Sequence, residues 1–203
     1  MWSDECSVEQ GQGKLIKWVF GLQEDKWKLS HVTTYKKGKD LCVMVWAAFW
    51  GFGNRTPLYI IDRDFESKKN GYSANSYIEV LDAHVQYMDD DLCFMQDNAS
   101  IYTAQKVKDW FIEQRVWHTD WPPYSPDLNP IENCWHAMKC LALKMFLDIM
   151  NGSGESEEDI RKVEECLKAA WDTLPNSLFK DLIKSIKVRI NMCILADRLH
   201  TKY

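Results

Sequence analysis

The sequence predicts an α/β domain: a mixed five-stranded sheet, three antiparallel strands and then two parallel ones, flanked by helices and followed by a C-terminal helical extension. Strand-like apolar runs fill the first third, strand and helix patterns alternate from residue 73 to about 150, and two long amphipathic stretches close the chain. With 203 residues and 46% hydrophobic composition, the chain can bury a core as a single domain. Residues 1–150 hold the sheet and its helices, and 151–203 read as a helical extension packing on the same domain.

The opening segment around Asp4, the β-rich run 42–50 and a short strand over 57–61 form an antiparallel meander, with Gly51, Gly53 and Asn54 as turn chemistry. Helical spacing takes over at 73–88, with Ile78, Leu81, Val85 and Met88 on one face and Ser73 or Asn75 as cap. The run Asp89, Asp90, Asp91 reads as a solvated turn. A strand over 92–98 feeds a helix over 103–114, with Ala104, Val107, Phe111 and Gln114 in register, and 116–119 is the fifth strand. Strands that alternate with helices pair in parallel through right-handed crossovers.

A long helix starts with Asn129 as cap, Pro130 at its first position and Glu132 three residues after the cap. Its apolar face is Ile131, Trp135, Met138, Ala142 and Met145. Residues 151–159 form an acidic, glycine-containing linker, and helices over 156–174 and 177–195 are separated by Pro175.

Net charge is −5, whereas proteins that grip DNA phosphates are usually basic. Charge is uneven: residues 11–40 carry seven lysines against three acids, a local +4. That stretch suits a phosphate-facing surface or a solvated hairpin that protects an edge strand. Seven scattered cysteines, without a close pair, read as reduced core thiols of an intracellular protein rather than a disulfide framework or zinc site. No secretory signal opens the chain, and the longest apolar run, 41–52, is too short to span a membrane.

In a mixed sheet, chemistry gathers where strands end. Asp4 lies in the opening strand, Asp97 closes the fourth, and Glu132 sits in the first turn after the fifth. Three carboxylates brought together there would repel one another unless divalent cations sat among their oxygens, which is the chemistry of phosphoryl transfer. Local sequence alone favours a capping box for Glu132 and a turn role for Asp97, and it does not separate Asp4 from Glu5.

The strings MQDNA at 95–99 and WPPYSPDLNPIENCW at 121–135 resemble the mariner-like (Tc-type) DDE transposase superfamily, and specifically its Tc-type branch. WSDECSV, VMVWAAFWG, LYIIDRDFESKKNGYSANSYIEVL and HTKY extend the likeness over nearly the whole chain. The resemblance implies a ribonuclease H-like fold. It also implies that Asp4 in the SDE context, Asp97 before Asn98 and Glu132 in NPIE are the catalytic, metal-binding triad, with 34 residues between the last two.

Two ions of Mg²⁺ or Mn²⁺, cleavage and strand transfer of DNA in cut-and-paste transposition, and a nuclear location follow from the same likeness. The partners implied are transposon ends and target DNA, with a homodimer as an open assembly state and no membrane. Trp121, Pro122, Pro123 and Tyr124 are candidates to shape the DNA groove, with packing the alternative for Trp121. Three departures shape the expectations. Tyr102 stands where the family usually has a histidine nearby, so no imidazole titrates there. Only three residues precede Asp4, so a shortened first strand is expected to hold it loosely. The family's helix-turn-helix would precede this domain, so DNA affinity is expected to be weak, nonspecific and salt-sensitive. The alternative is a catalytically inactive transposon remnant or a co-opted domain that binds nucleic acid or protein.

Overall fold

The computed structural model describes residues 1–10, 41–67, 71–88, 91–122, 125–152 and 156–196. The lysine-rich stretch 11–40 lies outside the described residues, as do Asp89, Asp90, Pro123 and Tyr124. The centre of the sheet is β2 (Cys42–Trp50), which pairs antiparallel with β1 (Trp2–Glu9) from Trp2↔Phe49 to Glu9↔Cys42. Asp4 therefore sits inside a fully paired strand, opposite Ala47, and is not loosely held.

On its other side β2 pairs with two short pieces, β3 (Asn54–Arg55) and β4 (Tyr59–Ile60). Gly51 at φ 55° and Gly53 at φ 106° turn the chain back, a backbone that L side chains resist. The single strand expected over 57–61 is interrupted because Pro57 has no N–H to give to the ladder. The Thr56 hydroxyl fills part of the gap, accepting from Ala48 N–H at 2.9 Å.

The parallel part of the sheet is slighter than the sequence suggests. Segments 92–98 and 116–119 contribute isolated parallel bridges, Trp2↔Met95 and Phe94↔His118, and not regular strands. Met95 N–H donates to Met1 O at 2.9 Å, and Phe94 N–H to Trp117 O at 2.8 Å. The ladder stops beyond Met95 because Asp97 turns the chain, its side chain accepting from Ala99 N–H at 2.8 Å.

β2 is buried on both faces, which explains its unbroken apolar run. Val45, Ala47 and Phe49 face α3 (Ile131–Met145), α5 (Glu157–Thr173) and α6 (Asn176–Leu195), packing with Ile131, Met138, Leu167 and Phe179. Trp46 and Ala48 face α1 (Ala74–His84) and α2 (Gln105–Glu113), packing with Tyr77, Leu81, Val107 and Phe111. The short α4 (Leu147–Met150) joins α3 to the segment before α5.

Four helix details differ from the expected pattern. Ser73 caps α1 as expected, but the buried face is Tyr77, Val80, Leu81 and His84, with Ile78, Val85 and Met88 only half-buried. The face turns because His84 enters an aromatic nest, 4.7 Å from the Trp46 ring and 5.3 Å from Tyr59, and the chain then tightens into a 3₁₀ turn over Val85–Tyr87. In α2 the aromatic Trp110 takes the inward place and Gln114 is exposed. Asn129 does not open a capping box with Glu132, because its N–H donates to Pro126 O within a 3₁₀ turn (Pro126–Leu128) and α3 starts at Ile131. At the far end of α3, Met145 is exposed, since the helix there has run past the sheet.

Candidate active site

Asp4 reaches the site because β1 runs beside the 93–95 segment. Met1 N–H donates to Cys93 O at 2.6 Å and Ser3 Oγ to Met95 O at 2.6 Å, fixing a parallel register with Trp2 opposite Met95. Two residues further on, Asp4 and Asp97 lie beside each other on the same face, by the two-residue period of extended chain. Both, with Glu132, line one pocket of about 320 Å³. Trp121, Pro122, Ser125, Pro126 and Asn129 complete much of its wall. The three residues that the sequence singled out are thus brought together.

Supports behind the carboxylates are distinct. Asp4 Oδ1 accepts from Glu5 N–H at 2.8 Å, and Asp4 Oδ2 accepts from Asn129 Nδ2 at 3.2 Å. Asn129 is buried and also donates to Ser3 O, while its Oδ1 accepts from Ile131 N–H at 3.3 Å. One amide therefore meets the first N–H of α3, from one residue ahead of its Pro130 cap, and binds the β1 carboxylate. The sequence placed the cap at Asn129, one residue before Pro130, where the structure has it; the signal for the carboxylate contact is that an amide, unlike an ionised Asp, carries both an acceptor and donors. Asn98 Nδ2 donates to Trp121 O, tying the Asp97 turn to the proline-rich wall, and Trp121 packs edge-on against Trp2 at 5.7 Å. Trp121 thus both packs and lines the pocket.

Charge crowding marks the site. Burial, followed by the neighbouring Glu132 charge, pushes the Asp4 carboxyl up to about 7; the Glu5 N–H opposes this, while Asp97 and a hydrogen bond to Glu132 add to it. Glu132 opens to solvent at the rim, yet loss of hydration raises its pKa, against the hydrogen bond from Asp4 and the nearby Lys139. Both carboxyls are thus held above their ordinary values, by burial first, and each influences the other. Glu5, on the opposite face of β1, is driven well above the carboxylate range by burial and then by Asp4 and Asp97. Its Oε1 is buried without a hydrogen-bond partner, a feature the sequence did not reveal.

Among the described residues no three His, Cys, Asp or Glu side chains are gathered into a ready metal-binding group. Asp97 spends one oxygen on Ala99 N–H rather than joining the Asp4–Glu132 pair. Tyr102 is buried against Tyr77, ring centroids 4.4 Å apart, and packs rather than lining the pocket. All seven cysteines are free, and Cys6, Cys134 and Cys166 are buried, as core thiols would be. Among the described residues no helix is long and apolar enough to cross a membrane.

An antiparallel sheet flanked by helices, with carboxylates from β1, the Asp97 turn and the start of α3 in one pocket, has the ribonuclease H-like fold that the sequence resemblance implies. The family model described as DDE superfamily endonuclease matches residues 61–149. The chain is similar to transposases of Tc-type transposable elements. It is 29% identical over 153 residues to the transposable element Tc3 transposase of Caenorhabditis elegans, covering 73% of this chain and 42% of that protein. It is 28% identical over 214 residues to the Tc1 transposase of the same organism, covering 100% of this chain and 70% of the relative. The chain thus spans less than half the length of the Tc3 relative. The structure of the Mos1 transposase catalytic domain with raltegravir and Mg shares its fold at a TM-score of 0.62 and 17% identity, covering 98% of this chain and 84% of that one.

Proposed function

We propose that this chain is the catalytic domain of a cut-and-paste DNA transposase, an endonuclease and strand-transferase in which Asp4, Asp97 and Glu132 hold two divalent cations. The observation that carries the reading is the convergence of these three carboxylates on one pocket, where burial and then the Glu132 charge raise the Asp4 carboxyl. The donor set fits Mg²⁺ or Mn²⁺: hard carboxylate oxygens whose mutual repulsion a divalent charge would relieve. Solved relatives in fold are described as Mos1 catalytic domain with Mg and with Mn.

When bound, the ions would neutralise charge on the attacking and leaving oxygens of phosphoryl transfer. Asp4, whose carboxyl burial pushes up to about 7, would be drawn to its ionised form by a divalent charge beside it. Asn129 then keeps the Asp4 carboxylate oriented through its Nδ2 donor, and the Trp121–Pro122 wall confines the strand beside it. The substrates proposed are transposon ends and target DNA; a Mos1 structure is described as a paired-end complex with the left transposon end. Affinity of this chain alone is expected to be weak and salt-sensitive, and its working assembly a homodimer in the nucleus.

The same reading treats the segments joined by the Trp2↔Met95 and Phe94↔His118 bridges as the fourth and fifth, parallel strands of the ribonuclease H-like sheet. It treats 151–203 as an extension of the 1–150 domain, supported by the packing of α5 and α6 into the core shared with β2 and α3.

The test incubates the purified chain with labelled DNA and Mg²⁺ or Mn²⁺, comparing wild type with Asp97→Ala. Metal-dependent nicking lost in the variant is expected. Absence of nicking with either metal would overturn the enzyme reading and leave a non-cutting remnant or co-opted domain.

A further inference from the structure

We propose that Arg189, on the inner face of α6, is a positioning residue for the pocket, pinning both sides of the segment that carries Asn129 and Glu132. The inference rests on the active-site reading above for its consequence, but not for its geometry. Arg189 is only 3% exposed, unusual for a guanidinium. Its Nη1 donates to Asp127 O at 2.9 Å and its Nη2 to Asn133 Oδ1 at 2.6 Å, while Nε donates to Ser185 Oγ at 2.9 Å.

Asp127 and Asn133 bracket the stretch that supplies Asn129 and Glu132 to the pocket. Ahead of α3 this stretch is a single 3₁₀ turn closed by Leu128 N–H to Ser125 O at 3.2 Å and Asn129 N–H to Pro126 O at 2.9 Å. One such turn has little stability of its own. A planar, multi-donor guanidinium fixed by Ser185 from its own helix can hold the turn and the helix start at a set separation, which a lysine ammonium cannot do. The consequence is that α6, remote in sequence, helps to set the distance between Asn129, Glu132 and Asp4.

The experiment uses the full chain carrying Arg189→Met, Arg189→Lys or Asn133→Ala, with two readouts beside thermal melting. Hydrogen exchange of peptides covering 125–133 reports the clamp, and Mn²⁺ binding followed by electron paramagnetic resonance reports the pocket. Arg189→Met and Asn133→Ala are expected to raise exchange in 125–133 by about tenfold while β2 and α5 stay protected. Mn²⁺ affinity should fall about tenfold, as when the partners behind metal ligands are removed. Arg189→Lys should fall between these variants and wild type. Unchanged exchange at 125–133, or unchanged Mn²⁺ affinity despite faster exchange, would overturn the proposal. If Arg189→Met does not fold, Asn133→Ala decides by the same criteria. If wild type takes up no Mn²⁺, the active-site reading fails and exchange at 125–133 alone decides the clamp.

Discussion

Replacing Asp4 by asparagine removes a carboxyl that the fold holds in an unfavourable setting, and the effect on stability should reverse sign with pH. The folded pKa of about 7 lies above the ordinary 3.8, so the native state keeps a proton that the unfolded chain releases. Stability from that proton is fully present below about pH 4 and is lost as pH rises through 7. The gap between the two values corresponds to on the order of 4 kcal/mol. Asparagine is isosteric: its Oδ1 can accept from Glu5 N–H and its amide can donate to Glu132, but it faces the Asn129 donor and forfeits that 3.2 Å bond. That loss costs about 1 kcal/mol.

In EDTA, Asp4→Asn is therefore expected to be about 1 kcal/mol less stable than wild type at pH 4 and about 3 kcal/mol more stable at pH 8. Urea unfolding of both proteins across this range measures the difference directly. Burial also raises Glu5 and Glu132, so both proteins should lose stability with pH, the wild type more steeply. A difference that does not change between pH 4 and 8 would refute the charge crowding inferred at this carboxylate.

Two other substitutions test how the frame around the pocket is held. Gly53→Ala places a side chain at φ +106° with its Cβ 3.2 Å from Asn176 O, so a loss of about 1–3 kcal/mol is expected in urea unfolding; wild-type stability would contradict the strained turn. Ser156→Ala removes the cap of α5, whose Oγ accepts from Asp159 N–H at 3.2 Å, and should lower stability by about 1 kcal/mol without altering metal-dependent nicking.

Much of the frame could be read from residue pattern. The run 42–50 is the central strand because it is apolar on both alternating faces, and α5 and α6 follow their amphipathic stretches, divided at Pro175. Patterns failed where a polar-tipped residue took a buried place. His84 and Tyr77, rather than Val85 and Met88, face the sheet, because an aromatic nest accepts them and a simple apolar stripe does not describe that nest. The parallel strands are only partly legible for a related reason: a short apolar run is equally suited to a strand or to a single bridge beside one, and only its neighbours decide.

For the candidate site, sequence by itself singled out Asp4, Asp97 and Glu132, through flanking strings and the ends of elements on which they fall. It also gave the central strand and the order of helices, since hydrophobic period is a local property. Only tertiary structure decided that Asp4 belongs with Asp97, through a parallel bridge between Trp2 and Met95, and that burial and the Glu132 charge raise the Asp4 carboxyl. Asn129, Glu5 and Arg189 became visible there as well. Their roles depend on which donor meets which acceptor after the chain has closed, and on how much water burial removes, and neither is fixed by spacing along the sequence.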